Sequence, residues 1–178
     1  MKNTLTTILC ILCAIVLAAG AVCLGAYRGW SRERDDALHA VSADGELASA
    51  LEERAMDAAN LIVVASRHLP EDDTDLAALR DVRAVLTDAS ATAADKTRAD
   101  GELTTLAEKL AASLPLLDSV QASARDQVYV STLTRTLAQG TDSAAAYAAA
   151  VQRFNDRLAS SLTGRLAMLL GVQPLTAE

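Results

Sequence analysis

The sequence predicts an all-α protein in which an antiparallel bundle of four to five helices follows one N-terminal transmembrane helix. Its composition favours helices, because 51% of the 178 residues are hydrophobic, only 3% are aromatic, and 37 are alanine, the strongest helix former. A long uncharged apolar run lies near the N-terminus, and apolar residues recur at helical spacing in the rest of the chain. Strand formers are scarce, so we expect no β-sandwich, β-barrel or parallel α/β sheet.

Residues 5–27 form the predicted transmembrane helix, after a short N-terminal flank at residues 1–4. These 23 residues carry no charge, and at about 1.5 Å per residue they cover a hydrocarbon core of roughly 30 Å. Tyr27 and Trp30 stand where the run meets charged residues, as expected for rings at the level of the lipid headgroups. A signal peptide cleaved after Ala21 is the alternative, but the apolar run is longer than the usual core of such a peptide, about 7–15 residues.

The charges beside the predicted span bear on its orientation. Arg28, Arg32 and Arg34 follow the span, whereas Lys2 and the terminal amino group precede it. Because Lys and Arg are enriched on the cytoplasmic side, the count favours a cell-membrane protein with its bundle in the cytoplasm. All three cysteines lie within the span, so we expect neither a disulfide framework nor a thiolate metal site in the bundle. These cysteines are Cys10, Cys13 and Cys23.

After the span we predict a polar juxtamembrane joint at residues 28–45, a helical bundle at 46–172 and a C-terminal tail at 173–178. Apolar side chains repeat every three or four residues in the bundle, as in amphipathic helices that bury one face. The five stripes are Leu47, Leu51, Ala55, Ala58, Ile62, Ala65 and Leu69; Leu79, Val82, Leu86, Ala89 and Ala93; Leu103, Leu106, Leu110 and Leu114; Val130, Leu133 and Leu137; and Tyr147, Val151, Phe154, Leu158 and Leu162. Four of these stripes are followed by proline or glycine, residues that end helices.

The charge and the motifs exclude several classes of function. A net charge of −7 and a pI near 4.8 give no positive surface for nucleic acid. The sequence contains no phosphate-binding loop, no dinucleotide-binding glycine motif and no zinc-protease helix motif. We therefore predict a protein that is not an enzyme and that has no cofactor, no catalytic residues and no metal ligands.

Four local features have specific expected roles. The acidic run at residues 71–75 should cap a helix, because it lacks the D-x-D-x-D-G spacing of a calcium loop. His68 should complement the C-terminal end of the preceding helix. Arg54 and Asp57, three residues apart, should form a pair on the helix surface. Asn155 lies on the apolar face of its helix, so it should be buried and paired with a backbone carbonyl or a neighbouring side chain.

Two segments resemble a known family. They contain Arg54, Asn60 and Leu61, and then Tyr147, Val151, Phe154, Asn155, Ala167 and Gly171. Their spacing is similar to the R-x-D-L-I-P-N-L and Y-N-x-x-V-x-x-[YF]-N stretches of the LemA family of membrane-anchored helical proteins. Ala59 and Ala148 replace the family's proline and first asparagine, so the chain resembles a divergent member. The resemblance implies a long-helix bundle on one membrane span, without known catalytic residues, that acts at the membrane with partner proteins.

The leading hypothesis is a membrane-tethered adaptor or scaffold that binds other proteins or further copies of itself. The alternative is an extracytoplasmic helical-bundle sensor that binds a small ligand. The side of the membrane that carries the bundle separates the two hypotheses, since an adaptor of cytoplasmic proteins requires the cytoplasmic side.

Overall fold

In the computed structural model the described residues are 2–40 and 45–176, with side chains from Ile8 onward. Part of the predicted joint (41–44) and the end of the predicted tail (177–178) lie outside the described residues. The described residues form eight α-helices and one 3₁₀ turn, and no strand occurs among them. The helices are α1 (Lys2–Leu38), α2 (Gly45–Ala65), α3 (Thr74–Thr87), α4 (Ala93–Ser113), α5 (Asp118–Gln121), α6 (Ala124–Leu137), α7 (Ser143–Ser160) and α8 (Leu162–Leu169), with the 3₁₀ turn at Leu114–Leu116. The all-α fold class is confirmed.

The chain divides into two compact units. One comprises Met1–Ala37 and Ala149–Ala177, and the other comprises essentially Leu38–Ala148. This division differs from the predicted bundle at 46–172, because most of α7, all of α8 and the described part of the tail belong to the same unit as α1. We call these the anchor unit and the bundle unit.

In the anchor unit, α1 is long and apolar enough to cross a membrane. The apolar segment has a mean hydropathy of 2.8, and none of its most apolar stretch is buried against other parts of the protein. The helix continues without interruption to Leu38, so the expectation of a breakable joint directly after the span is wrong. The joint is helical there because Trp30 and Ala37 pack within the anchor unit, where both are buried.

Trp30 is a packed residue of the anchor unit, and its expected place at the level of the lipid headgroups stays a prediction. Its ring is 7% exposed and meets the Phe154 ring edge-on, with 6.1 Å between ring centroids. The indole Nε1 donates to Thr163 Oγ1 at 3.3 Å. The apolar stripe of α7 thus contacts α1 through Phe154, and Val151 and Leu158 of the same stripe are also buried.

The last stripe ends earlier than predicted, because α7 ends at Ser160. Ser161 caps α8 by accepting a hydrogen bond from the Gly164 amide at 2.9 Å. A Cβ atom at Gly164 would overlap the carbonyl oxygen of Leu158, so the tight turn between the two helices requires glycine. Leu162 therefore leaves the stripe and is 84% exposed, contrary to the expectation that it is part of the core.

The bundle unit is a four-helix bundle of α2, α3, α4 and α6. Each helix packs against the next, and α6 closes the ring against α2. Neighbours are antiparallel: Lys109, late in α4, pairs with Asp75, early in α3, and Arg67, just after α2, pairs with Asp126, early in α6. Fully buried leucines fill the core, and they are Leu61, Leu76, Leu79, Leu103, Leu110, Leu114 and Leu137. Burial of these side chains is the main source of stability in such a bundle.

The acidic run before α3 caps that helix, as predicted. Asp73 accepts hydrogen bonds from the Asp75 and Leu76 amides at 2.9 and 3.0 Å. The buried face of α2, in contrast, is rotated relative to the predicted stripe, because Arg54 and Leu61 are buried. The predicted stripe members Leu47 and Ile62 are only half-buried.

Candidate functional site

An open groove lies on the surface of the bundle unit between α3 and α4. Its volume is about 820 Å³. Its floor is apolar and consists of Val82, Val85, Ala99 and Leu106. Val82 and Ala99 are buried beneath it, whereas Val85 and Leu106 are half-buried and accessible from the groove. A groove of this kind can accept the apolar side chains of another molecule.

The rim of the groove carries more negative than positive charge. Three acids, Asp81, Asp95 and Glu102, line it together with one base, Arg98. A hydrogen bond from the Thr92 hydroxyl and the charge of the nearby Arg98 hold the pKa of Asp95 below its usual value. Burial acts in the opposite direction but does not outweigh them. Asp95 is thus ionised at neutral pH, and the rim favours a positively charged ligand.

Gly101 leaves a gap in the α4 wall of the groove. A Cβ atom at this position would meet no other atom within 4 Å. A Cβ atom therefore fits at this position, and a larger side chain built on it would extend into the groove. Substitution of Gly101 by a larger residue is therefore a direct way to fill the groove in an experiment.

A buried ion pair lies in the bundle core beside Thr104, and it corrects the expectation that Arg54 is a surface residue paired with Asp57. Arg54 Nε lies 2.5 Å from Asp100 Oδ1, and both side chains are less than one-tenth exposed. The same guanidinium donates to the Leu137 carbonyl oxygen and to Thr104 Oγ1, each at 2.9 Å. Arg54 therefore joins α2, α4 and the C-terminal end of α6.

The carboxylate of Asp100 also holds the segment that enters α7. Its Oδ2 accepts hydrogen bonds from Ser143 Oγ at 2.8 Å and from the Thr141 hydroxyl. Gly140, just before this segment, has a φ of +67°, a conformation that favours glycine. The cluster is enclosed and fastens helices to one another, so we assign it to the architecture of the bundle.

His68 lies between a serine and a carboxylate. Its Nε2 is 3.1 Å from Asp126 Oδ2, and its Nδ1 is 3.0 Å from Ser119 Oγ. Serine hydrolases use the same three residue types, but there the carboxylate binds Nδ1 and the serine binds Nε2. Arg67 Nη1 also donates a hydrogen bond to Asp126 Oδ1, at 3.0 Å. The cluster connects the segment after α2 to α5 and α6, which differs from the expected contact of His68 with the end of its own helix.

The cluster around Asp126 predicts a dependence of stability on acid pH. Burial raises the pKa of Asp126, but hydrogen bonds from His68 and Ser123 and the charge of Arg67 outweigh it, so the pKa lies below its usual value. A carboxyl whose pKa is lowered by folding stabilises the protein above its unfolded pKa, about 3.9, and loses this effect as the pH falls through the folded pKa. The free energy of unfolding, measured with urea at a series of pH values, should fall less between pH 6 and pH 3 in Asp126→Asn than in the wild type. An equal fall in both proteins would contradict this.

The residues that carry the family resemblance are divided between the two units. Arg54, Asn60, Leu61 and Tyr147 belong to the bundle unit, whereas Val151, Phe154, Asn155, Ala167 and Gly171 belong to the anchor unit. Asn60 is exposed, Leu61 and Ala167 are completely buried, and Tyr147, Val151 and Phe154 are buried. Gly171 has a φ of +103° and ends α8 in the left-handed region.

Asn155 has both ends of its amide paired, as predicted, although the residue is half-buried instead of fully buried. Its Nδ2 donates to the Leu175 carbonyl at 2.8 Å, and its Oδ1 accepts from the Leu175 amide at 2.9 Å. The partner is therefore the backbone of the C-terminal tail and not a neighbouring helix. This pair holds the tail, in which Leu175 is buried.

We found no protein-family model, curated protein or solved structure that matches this chain. Within residues 2–40 and 45–176, no group of three or more His, Cys, Asp and Glu side chains could hold a metal ion. We take the α3–α4 groove, with its apolar floor and acidic rim, as the candidate functional site. The sequence alone did not indicate this groove, although Gly101 in the middle of a helix is a signal that a wall position lacks a side chain.

Proposed function

We propose that this protein is a membrane-anchored helical-bundle adaptor, a divergent relative of the LemA family, that binds a partner protein in the α3–α4 groove. The observation that carries the proposal is an apolar floor beneath an acidic rim, in a chain whose α1 is long and apolar enough to cross a membrane. The partner presents an amphipathic helix with apolar residues on one face and Lys or Arg beside them. Its role is non-enzymatic.

Charge and shape both support this occupant. The apolar floor offers a surface for residues spaced at i, i+3, i+4 and i+7 of a docking helix. The acidic rim and the overall charge of −7 attract a basic segment and disfavour an acidic one. The anchor in α1 would hold the captured partner at the membrane surface. The Arg98 side chain, paired with Asp95 at 2.7 Å, contributes to the rim without cancelling its excess negative charge.

The groove can be tested by site-specific photocrosslinking of the full chain in cells. A benzophenone amino acid at Thr105, exposed in the groove, should give a discrete protein adduct, and its crosslinked peptide should carry basic residues at helical spacing. Gly101→Leu should abolish the adduct by filling the groove. As a control, Ala111→Leu places the same side chain on an exposed position of α4 outside the groove and should leave the adduct intact.

Three results would contradict the groove adaptor. An adduct that persists with Gly101→Leu would assign binding elsewhere, and an adduct of two copies would assign the groove to self-association. No protein adduct, together with the binding of a small molecule that Gly101→Leu removes, would favour the sensor hypothesis.

We propose that the bundle faces the cytoplasm. Ala89 is exposed in the bundle unit and can be replaced by cysteine in a chain in which Cys10, Cys13 and Cys23 are serine. A membrane-impermeant maleimide should label Ala89→Cys only after the cells are permeabilised. Labelling in intact cells would favour the extracytoplasmic sensor.

A further inference from the structure

Helix α8 lies across α1 and not along it. At its start, Thr163 Oγ1 accepts a hydrogen bond from Trp30 Nε1. Directly after its end, Gly171 and Val172 line a cleft together with Tyr27, Ser31, Arg34 and Asp35 of α1. Beside the start of α8, a second cleft is lined by residues of α1 from Gly25 to Glu33. The two stretches of α1 are centred about two residues, or roughly 3 Å, apart, whereas an eight-residue helix is about 12 Å long. Both ends of α8 therefore meet α1 at nearly one level.

The outward face of α8 is apolar, the reverse of an ordinary surface helix. Gly164 and Ala167 are buried and form its inward face. Leu162 and Leu169, on the opposite side, are 84% and 85% exposed, and Leu170 beside them is 42% exposed. Exposed leucines on one face of a helix mark a surface that another apolar phase covers.

The level at which α8 crosses α1 indicates what covers this face. The uncharged run of α1 ends at Tyr27, and Arg28 is the first charge after it. If α1 spans a bilayer, this level is the boundary between acyl chains and headgroups. A helix that crosses a span at this level lies in the plane of the boundary, where leucines reach acyl chains and basic residues reach phosphates. Arg28 and Arg165 are both exposed at this level.

We propose that α8 is an interfacial helix that inserts its leucine face into the bilayer next to α1, with Arg28 and Arg165 on anionic phospholipid headgroups. The proposal rests on the membrane anchor of the proposed function. It also explains the role of the tight turn at Gly164, because this turn directs α8 away from the axis of α7. The anchor is then a span plus a surface helix, so the membrane fixes α1 against rotation about its own axis.

The experiment uses the full chain without native cysteines, reconstituted into two sets of vesicles of phosphatidylcholine and phosphatidylglycerol, one with acyl chains brominated near the headgroup and one with acyl chains brominated near the bilayer centre. A fluorophore is attached to one cysteine at a time, at Leu169, at Leu17 in the middle of the span, or at Gln152, an exposed polar position of α7. We expect brominated lipid to quench the probes at Leu169 and Leu17 and not the probe at Gln152. Replacing phosphatidylglycerol with phosphatidylcholine should weaken the quenching at Leu169 more in wild type than in Arg165→Gln.

The outcomes separate this inference from the anchor. Quenching at Leu17 without quenching at Leu169 would overturn the interfacial helix and leave the anchor intact. No quenching at either position would overturn both. Oxidative crosslinking of Leu169→Cys between two copies, without quenching by lipid, would assign the leucine face to a second copy of the chain and would also overturn the inference.

Discussion

Arg54→Ala should lower the free energy of unfolding by about 3–5 kcal/mol, because it leaves the Asp100 carboxylate buried without its counter-charge. Both side chains are almost fully enclosed, and the guanidinium also binds the Leu137 carbonyl and the Thr104 hydroxyl. The measurement is urea unfolding of the full chain in dodecyl maltoside micelles, followed by far-ultraviolet circular dichroism. The effect should be the largest of any single polar substitution in the bundle unit.

The matched control is Lys109→Ala, which removes another ion pair between helices. Lys109 Nζ lies 2.6 Å from Asp75 Oδ1, but the lysine side chain is 62% exposed. An exposed pair contributes about 0–1 kcal/mol, so this variant should unfold nearly as the wild type does. Equal effects of the two variants would show that the Arg54 pair is not buried in solution.

Leu158→Ala should destabilise the anchor unit by about 2–5 kcal/mol, since it deletes a fully buried side chain and leaves a cavity. Leu158 is 1% exposed. Trp30 is the sole tryptophan of the chain and packs against Phe154 in the same unit. Its fluorescence in the same urea titration therefore reports on this unit specifically.

Leu116→Ala is the control for this prediction, because Leu116 is 75% exposed. Exposed positions without special contacts tolerate substitution within about 0.5 kcal/mol. A loss below this value for Leu158→Ala would contradict the assigned face of α7.

The sequence was sufficient to predict the fold class and most buried leucines, because helical periodicity is a local signal. Leu103, Leu110 and Leu137 are buried where the spacing predicts. The cap at Asp73 was also predictable, since the residue precedes its helix directly. These features depend on residues within one or two turns of each other.

The features that were missed depend on contacts between distant parts of the chain. Arg54 and Asp100 are 46 residues apart, and a charged residue in a helix pattern is ordinarily a surface residue. Trp30 and Phe154 come from opposite ends of the sequence, so the grouping of α7 and α8 with α1 had no local signal. The groove likewise arises between the faces of two helices, and periodicity within either helix does not reveal it.

The proposed function depends most on α1 as a membrane anchor, and alkaline carbonate extraction of cell membranes tests this directly. We expect the wild-type chain to stay in the membrane pellet with its apolar run intact by mass spectrometry. Leu17→Arg should shift the chain to the soluble fraction, since a charge at the middle of a span costs about 2.5–3.5 kcal/mol on insertion scales, whereas the neutral control Leu17→Met should stay in the pellet. A wild-type chain that is extracted by carbonate, or that begins at Val22, would contradict the anchor.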